Sequence, residues 1–212
     1  MTKPVWLFDL DNTLHDATPH IFPHINRSMR EYIERHLGVD ETTASQIRQS
    51  YWTRYGATLL GLMRHHGTDP RHFLRETHRF ADLRRMVVFE KPVIHMLRRL
   101  PGRKIIFSNA PRHYTEAILD ITGLDRCFDA IYAVDNVRFQ PKPMLAGFRT
   151  LLKAEHLDPR RCIMVEDSLS NLVSAKKLGM KTVWVSTGSR QSPYVDVKIN
   201  SVLELPKRCG RL

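Results

Sequence analysis

Six short runs of apolar residues predict the strands of a β-sheet. Most of them are continuously apolar, which is typical of strands that are buried on both faces of a parallel sheet. Turn-forming and polar residues separate each run from the next element. The predicted strands are VWLFDL from Val5, RKIIFSNA (103–110), AIYAVD (130–135), RCIMVED (161–167), KTVWVS (181–186) and a weaker run, VDVKINSV (195–202).

Helical patterns alternate with the later strands. The segments RHYTEAILDITGL, MLAGFRTLLKAEHL and SLSNLVSAKKLG place apolar residues three and four positions apart, which is the spacing of one helix face. Gly123 and Gly179 close the first and third of these segments, where glycine commonly ends a helix. The alternation predicts an α/β fold with a Rossmann-like parallel sheet and helices on both faces.

The chain between the first two strands has a different pattern. It contains three helical segments and no strong strand: FPHINRSMREYIERHL, TTASQIRQSYWTRYGATLLGLMRHH and PRHFLRETHRFADLRRM. This pattern predicts a small all-helical domain inserted after the first strand. We therefore expect a core domain made of residues 1–14 and 91–212, and a helical domain of residues 15–90.

Composition places the chain among ordinary globular proteins. Hydrophobic residues make up 42% of the 212 residues and charged residues 26%, which argues against disorder. No apolar run approaches the roughly 20 residues of a membrane helix, and Asp9 interrupts the first run too early for a signal-peptide core. The three cysteines lack CxxC or zinc-like spacing, which favours a reducing cytoplasm.

The net charge of +11 has two interpretations. Nucleic-acid-binding proteins are often basic, but Lys and Arg are scattered here, with no long basic arm and no RRM-like, KH-like or C2H2 pattern. A basic field also attracts small anionic substrates. We expect a small phosphorylated partner and no membrane partner, and we disfavour nucleic acid; monomer and dimer both stay open.

Polar side chains follow several predicted strands at the point where each strand ends. The first strand runs into Asp9, Asp11 and Thr13, the second into Ser108 and Asn109, and the fourth into Glu166 and Asp167, while Lys142 lies between two prolines before a helix. One such ending is common at turns. Because open α/β sheets bind ligands at the carboxyl ends of their strands, the whole set predicts a site at that edge.

The chemistry that needs such a set is phosphoryl transfer to a carboxylate. An aspartate can attack phosphorus and hold it as an acyl phosphate, which divides one hard step into two easier ones. Two anions about 4 Å apart repel by roughly 4 kcal/mol at an effective dielectric of 20, so a divalent cation and a lysine must offset that repulsion. Asp9 and Asp167 offer the oxygen ligands that Mg²⁺ prefers, and Lys142 can neutralise phosphate oxygens.

The remaining polar residues suit the same reaction. Ser108 and Thr13 can donate hydrogen bonds to the phosphate. Asp11, two residues after the nucleophile, can protonate the leaving alkoxide and then deprotonate the attacking water.

FDLDNTL resembles the first motif of the haloacid dehalogenase (HAD) superfamily, in which two hydrophobic residues precede D-x-D-x-T and Leu or Val. IIFSN, QPKP and IMVEDS resemble its second, third and fourth motifs, in family order. The resemblance implies a HAD-like core and a Mg²⁺-dependent phosphatase, and the acid at Asp11 disfavours dehalogenation. The roles assigned on this basis are catalysis by Asp9, Asp11 and Lys142, phosphate binding by Thr13, Ser108, Asn109 and Lys142, and Mg²⁺ binding by Asp9, Asp11, Glu166 and Asp167.

The position of the helical insert resembles the HAD subfamily with a helical cap after the first strand. DNTLHDA, YGATLLGLMRHHG and FQPKP are similar to the pyrimidine 5′-nucleotidase group of that subfamily. This implies hydrolysis of UMP- or CMP-type mononucleotides, with Tyr55 and Arg64 of the cap as candidate substrate contacts.

Other functions stay open at this point. A phosphatase of the same cap type could act on a sugar phosphate or phosphoglycolate, and a phosphomutase would use the same two aspartates. A basic RNA-binding or regulatory protein that retains the fold is the non-enzyme alternative.

Overall fold

The computed structural model describes residues 3–208, so Cys209 lies outside the described residues. Within this range the chain forms two compact units, one of residues 17–87 and the other of residues 3–16 and 88–208. We call them the helical unit and the α/β unit. The sequence predicts a helical domain of residues 15–90, and the helical unit covers residues 17–87. No helix within residues 3–208 has both the length and the apolar composition of a membrane span.

The α/β unit contains a six-stranded sheet in which all neighbouring strands are parallel. All six apolar runs form strands, and each strand is shorter than predicted because the end residues of the runs, some of them apolar, belong to the adjoining loops. Every residue of the first and fourth strands is buried, as continuous apolar runs predict. The strands are β1 (Val5–Phe8), β2 (Arg103–Phe107), β3 (Ala130–Tyr132), β4 (Cys162–Glu166), β5 (Lys181–Val185) and β6 (Val197–Ile199).

The strand order is β3-β2-β1-β4-β5-β6. The chain runs outward from β1 through β2 to β3, then returns to the other side of β1 and runs outward again. Val5 of β1 accordingly pairs with Arg103 on one side and Cys162 on the other. The direction of winding therefore changes between β1 and β4, and sheets of this kind bind ligands at the carboxyl ends of the strands beside such a switch point.

The helical unit contains five helices where the sequence predicts three segments. The second segment is divided at Gly56, which adopts a φ of 80° and donates its N–H to the carbonyl of Trp52. Gly61 lets the two resulting helices approach closely, because an added Cβ would lie 2.1 Å from the ring of Tyr51. The helices are α1 (Ile21–Leu37), α2 (Glu41–Tyr55), α3 (Thr58–His66), α4 (Pro70–Thr77) and α5 (Leu83–Met86).

The helices of the α/β unit cover both faces of its sheet. The predicted segments correspond to the second, third and fourth of them, and the sequence pattern does not predict the first and the last. Gly123 ends its helix with a φ of 71°, and Gly179, with a φ of 93°, lies two residues beyond Lys177. The helices are α6 (Pro92–Arg99), α7 (Arg112–Thr122), α8 (Leu145–Ala154), α9 (Leu169–Lys177) and α10 (Leu205–Arg208).

The core of the α/β unit packs between the sheet and these helices. Leu7, Phe107 and Met164 from the three central strands are completely buried and share a cluster with Phe148 of α8. Cys162 belongs to the same cluster and is a free thiol. The central strands are therefore rigidly supported up to the edge at which their polar residues begin.

Candidate active site

The candidate site begins where β1 ends. The N–H of Asp9 donates to the carbonyl oxygen of Val165 in β4, 3.0 Å away, which fixes Asp9 beside the switch point. The chain then turns: Thr13 donates its N–H to the carbonyl of Leu10, and Asn12 adopts a φ of 59°, a conformation that asparagine tolerates better than most residues. The turn brings the Thr13 hydroxyl to 3.2 Å from Asp9 Oδ2.

Lys142 is the buried cation of this site. Its Nζ donates to Asp9 Oδ1 and to Glu166 Oε2, both at 2.7 Å, and only 1% of the residue is exposed. A buried ammonium group is costly unless it is paired, and here it is paired with two carboxylates. Lys142 thus connects the end of β1 to the end of β4.

The main chain around Lys142 is held by its neighbours. The side-chain amide of Asn109 donates to the Lys142 carbonyl and accepts from the Lys142 N–H, each at 2.8 Å. Gly147 of α8 packs closely against the same segment, since an added Cβ would lie 2.1 Å from the carbonyl oxygen of Gln140. These contacts fix the backbone of Lys142 and thereby position its side chain. Asn109, predicted as a phosphate ligand, uses its amide for this purpose.

Asp9, Glu166 and Asp167 form the acidic cluster of the site. Their carboxylate oxygens lie within 4.8 Å of one another. Glu166 Oε2 accepts from Lys142, and its Oε1 accepts from the N–H of Ser168 at 3.1 Å, so Glu166 serves as a counter-ion of the lysine. Asp9 and Asp167 are consequently the better candidates for direct contact with a cation.

Burial and mutual repulsion raise the pKa values of these carboxyl groups. Desolvation, together with the nearby Glu166, raises the pKa of Asp9 to about 7. Burial also raises the pKa of Glu166 to about 7 despite the attraction of Lys142, and it raises the pKa of Asp167. For Lys142, burial acts to lower the pKa, but the two carboxylates outweigh it and the pKa is raised. Three carboxyl groups therefore lie together, two of them paired with the one ammonium group of Lys142, and this oxygen-rich set suits a hard divalent cation.

Asp11 is held by two residues that the sequence does not single out. Tyr114 of α7 donates its hydroxyl to Asp11 Oδ1 at 2.6 Å, and His15 Nε2 lies 2.9 Å from the same oxygen. Burial and the adjacent Asp11 raise the pKa of Tyr114 far above its usual range, so the phenol keeps its proton and acts as a donor. The structure brings Asp11 to His15 and Tyr114 and leaves its carboxylate outside the acidic cluster.

Ser108 follows β2 at the same edge of the sheet. It is buried, its N–H donates to the carbonyl of Tyr132 at 2.9 Å, and its Oγ accepts from the N–H of Ala110 at 3.0 Å. A serine hydroxyl that accepts one hydrogen bond can still donate its own proton. Ser108 therefore keeps the donor that its predicted contact with phosphate requires.

Tyr55 and Arg64, the predicted substrate contacts, lie together in the helical unit. The guanidinium carbon of Arg64 is 5.8 Å from the centre of the Tyr55 ring, and the Tyr55 hydroxyl lies 2.6 Å from His65 Nε2. Tyr51, one turn earlier in α2, pairs in the same way with His66 at 2.8 Å. The facing surfaces of α2 and α3 thus combine aromatic rings with basic groups.

The sequence profile of the haloacid dehalogenase-like hydrolases matches residues 5–179. The chain belongs to this family. The hydrolase is 29% identical to a 5′-nucleotidase of Pseudomonas aeruginosa, over 87% of its own length and 83% of that protein. It is 24% identical to a phosphoglycolate phosphatase of Caulobacter vibrioides, over 95% of its own length and 89% of that protein.

A solved structure supports the fold of this HAD-like hydrolase. The crystal structure of a HAD phosphatase from Thermococcus onnurineus matches it with a TM-score of 0.69 at 24% identity, covering 99% of this chain and 98% of that one. The predicted fold class and the prediction of a hydrolytic enzyme are confirmed. Family membership also favours the enzyme over the non-enzyme alternative.

Two residues of the hydrolase's site had no usable signal in the sequence. Tyr114 lies 103 residues from Asp11, so no local pattern connects them. His15 lies four residues after Asp11, but this spacing predicts contact only within a helix, and Asp11 to His15 form a turn.

Proposed function

We propose that this HAD-like hydrolase cleaves phosphoric monoesters through a covalent aspartyl phosphate, with Asp9 as the nucleophile. The observation that carries the proposal is the pair of Asp9 Oδ1 and Lys142 Nζ, 2.7 Å apart beside the switch point. A carboxylate held against a buried ammonium group can meet a phosphate whose charge the same ammonium group offsets. The relatives named as phosphatases support the same reaction.

The reaction proceeds in two halves. Asp9 attacks phosphorus, so that a bond forms between its carboxylate oxygen and phosphorus while the ester P–O bond breaks, and Asp11 gives its proton to the leaving oxygen. Water then attacks the acyl phosphate, Asp11 takes a proton from that water, and inorganic phosphate leaves as Asp9 is regenerated. Lys142, Ser108 and Thr13 donate to the phosphoryl oxygens and stabilise the charge that develops on them.

We propose Mg²⁺ as the cofactor, held by Asp9 and Asp167. The donor set fits this ion because it consists of oxygen atoms and contains more carboxyl than ammonium groups. When bound, Mg²⁺ supplies positive charge that offsets the repulsion between the substrate phosphate and Asp9.

The substrate that we propose first is a pyrimidine 5′-mononucleotide such as UMP or CMP. Its support is the contact of Tyr55 with Arg64, which offers a base both an aromatic face and a guanidinium donor, together with the relative named as a 5′-nucleotidase. Phosphoglycolate or a sugar phosphate is the second candidate, favoured by the Caulobacter relative, whose match covers more of this chain. A phosphomutase would need the second half-reaction to use a substrate hydroxyl in place of water.

The Asp9→Asn variant tests the covalent reaction. It removes the charge of the nucleophile and keeps its shape, so kcat for 4-nitrophenyl phosphate in the presence of Mg²⁺ should fall by about 10³-fold or more. Acid quenching during turnover of radiolabelled substrate should trap labelled wild-type protein and no labelled variant. Asp125→Asn, which alters an exposed carboxylate outside the site, is the matched control and should keep full activity. Retention of more than about a tenth of wild-type activity by Asp9→Asn would contradict the assignment of Asp9.

A further inference from the structure

We propose that His15 and Tyr114 are positioning residues for the acid–base step: they hold the Asp11 carboxylate by two hydrogen bonds to one oxygen, Oδ1, and thereby confine the transferred proton to Oδ2. The inference rests on the proposed function, because it takes Asp11 as the group that exchanges a proton with the leaving oxygen and with water. It adds that the two oxygens of that carboxylate have different roles: Oδ1 accepts the two hydrogen bonds, and Oδ2 transfers the proton.

The two donors reach Asp11 from different elements. His15 lies in the turn after β1, with Nε2 2.9 Å from Asp11 Oδ1, and Tyr114 lies in the first turn of α7, with its hydroxyl 2.6 Å from the same atom. The side chain of His15 is 0% exposed and Tyr114 is 1% exposed. Hydrogen bonds to a carboxylate are stronger than those between neutral groups, and burial of both donor side chains limits their freedom to turn away. The carboxylate is thus held in one orientation.

The direction of the contact between His15 and Asp11 follows from the acceptor. A carboxylate oxygen has no hydrogen to donate, so the Nε2 nitrogen of His15, 2.9 Å from Asp11 Oδ1, carries the hydrogen of this bond. Nε2 of His15 is therefore a donor towards Asp11 Oδ1, as the hydroxyl of Tyr114 is.

Two donors on one oxygen determine where the carboxyl proton resides. Oδ1 accepts from both His15 and Tyr114, which uses its two lone pairs, so protonated Asp11 carries its proton on Oδ2. In the first half-reaction Oδ2 gives that proton to the ester oxygen, and in the second Oδ2 takes one from the attacking water. Loss of the two donors would remove the hydrogen bonds that distinguish Oδ1 from Oδ2, and with them part of the alignment that proton transfer needs.

This role predicts a loss of activity that depends on the leaving group. The value of kcat/KM reports the steps up to the phosphoenzyme, in which Asp11 acts as the acid. Benzyl phosphate and 4-nitrophenyl phosphate are similar in size, but a benzyl alkoxide needs a proton to leave and 4-nitrophenolate does not. His15→Ala and Tyr114→Phe should each lower kcat/KM for benzyl phosphate by about tenfold or more, and that for 4-nitrophenyl phosphate by less than about threefold.

Three further variants make the test specific. Asp11→Asn should show the same selectivity in a stronger form. His15→Gln retains an N–H donor and should recover part of the benzyl phosphate activity. Tyr132→Phe removes a matched bond elsewhere, from the Tyr132 hydroxyl to Glu155 Oε1 at 2.6 Å, and should leave the ratio of the two kcat/KM values unchanged.

The outcomes separate this inference from the proposed function. An active wild type in which both His15→Ala and Tyr114→Phe lose equal activity on the two esters would overturn the inference and leave the phosphatase intact. A wild type that cleaves neither ester would overturn the proposed function, and the inference with it. If circular dichroism shows that His15→Ala does not fold, Tyr114→Phe by itself decides the question, because it removes one hydroxyl and keeps the ring.

Discussion

The ammonium group of Lys142 is shared by two carboxylates with different duties. Asp9 is the proposed nucleophile, whereas both oxygens of Glu166 accept hydrogen bonds within the protein. The charge of Glu166 therefore still balances Lys142 when Asp9 has formed an ester with phosphate. Without such a partner, the buried ammonium group would depend on the one carboxylate that the reaction consumes and regenerates.

We expect Mg²⁺ to bind more weakly in acid. The pKa of Asp9 is raised to about 7, and a cation binds the ionised form, so protons compete with Mg²⁺ at and below about pH 7 and compete less as the pH rises above that value. The Mg²⁺ concentration that gives half-maximal turnover should rise roughly fivefold from about pH 7 to about pH 6 and change little above about pH 8. Activation curves measured at each pH test this expectation.

Removal of the metal supplies the control for that experiment. Activity should disappear in EDTA and return with Mg²⁺, while Ca²⁺ should substitute poorly because its coordination is looser and higher in number. Full activity after exhaustive dialysis against EDTA would contradict the role of Asp9 and Asp167 as metal ligands. If the half-saturating Mg²⁺ concentration did not change with pH, the role of Asp9 as a metal ligand would be contradicted, and that of Asp167 would not.

At the scale of elements, Asp196 stabilises the position of β6, the outermost strand on its side of the sheet. This residue precedes the short strand β6 and accepts hydrogen bonds from the N–H and the hydroxyl of Thr182, at 2.8 and 3.0 Å, and from Lys176 Nζ at 2.5 Å. It thereby joins β6 to the start of β5 and the end of α9. Burial acts to raise the pKa of Asp196, but these hydrogen bonds outweigh it and the pKa is lowered.

Asp196→Asn should lower the free energy of unfolding by about 1–2 kcal/mol at neutral pH, a value reduced for partial exposure to solvent. The pKa of Asp196 is lower in the folded than in the unfolded chain, so its stabilisation is present above the unfolded pKa of about 3.9 and is lost as the pH falls through the folded value. Urea denaturation should show a constant difference between wild type and variant from about pH 7 to about pH 5, and a shrinking one below about pH 4.

The exposed Asp120 on α7 offers a matched carboxylate for comparison. Asp120→Asn should change the free energy of unfolding very little at any of these pH values. If the deficit of Asp196→Asn stayed the same at about pH 3, the ionised carboxylate would not be the source of the stabilisation.

The elements differ in how well the sequence predicts them. The strands are predictable because they are apolar on both faces and bounded by turn residues. The division between α2 and α3 is not, because helical spacing continues through Gly56, and periodicity does not show whether a glycine lies inside a helix or ends it. α6 is also missed, since eight residues that begin with Pro92 give too short a window for periodicity.

The sequence also predicts some features of the site and misses others. Asp9, Ser108 and Asp167 are predictable because each lies directly beyond an apolar strand, and the sheet brings those strand ends together. Lys142 is predictable as a member of the site, but two contacts are not. These are the ion pair of Lys142 with Glu166 and the hydrogen bond of Tyr114 to Asp11 across 103 residues of sequence. Such contacts depend on how loops and helices are set upon the sheet, which local patterns do not encode.

For the whole molecule, the sign of the net charge differs from the sign of the charges in the acidic cluster. The chain as a whole carries a net charge of +11, whereas the acidic cluster is largely buried. A basic exterior attracts phosphate esters in general, and the residues of the α/β site suit the phosphate group that all of them share. Selection among esters must therefore come from other residues, and we propose that the helical unit supplies them through Tyr55 and Arg64.

This proposal predicts a preference for small bases. A pocket with one aromatic face should penalise the larger purine by roughly 1–3 kcal/mol, so kcat/KM for UMP or CMP should exceed that for AMP or GMP by about tenfold or more. Tyr55→Ala should reduce this ratio more than it reduces turnover of 4-nitrophenyl phosphate. Trp52→Ala, which removes an exposed aromatic ring from the same helix, is the matched control and should preserve the ratio.

Side-by-side assays also decide between the candidate substrates. If purine nucleotides, hexose phosphates or phosphoglycolate were cleaved more efficiently than UMP and CMP, the nucleotidase assignment would fail. The assignment of Asp9 as a phosphatase nucleophile would survive that result, because it concerns the phosphate alone.

Asp16 and Val88, the residues of the α/β unit that flank the helical unit in sequence, are hydrogen-bonded neighbours. The N–H of Asp16 donates to the carbonyl of Val88 at 2.9 Å, within an isolated antiparallel bridge. A segment whose two ends are adjacent can be exchanged for one of different length with little disturbance to its host. The helical unit can therefore be exchanged as one segment. If natural recombination or protein engineering replaced it, our proposal predicts a changed preference among esters and unchanged chemistry at the phosphate.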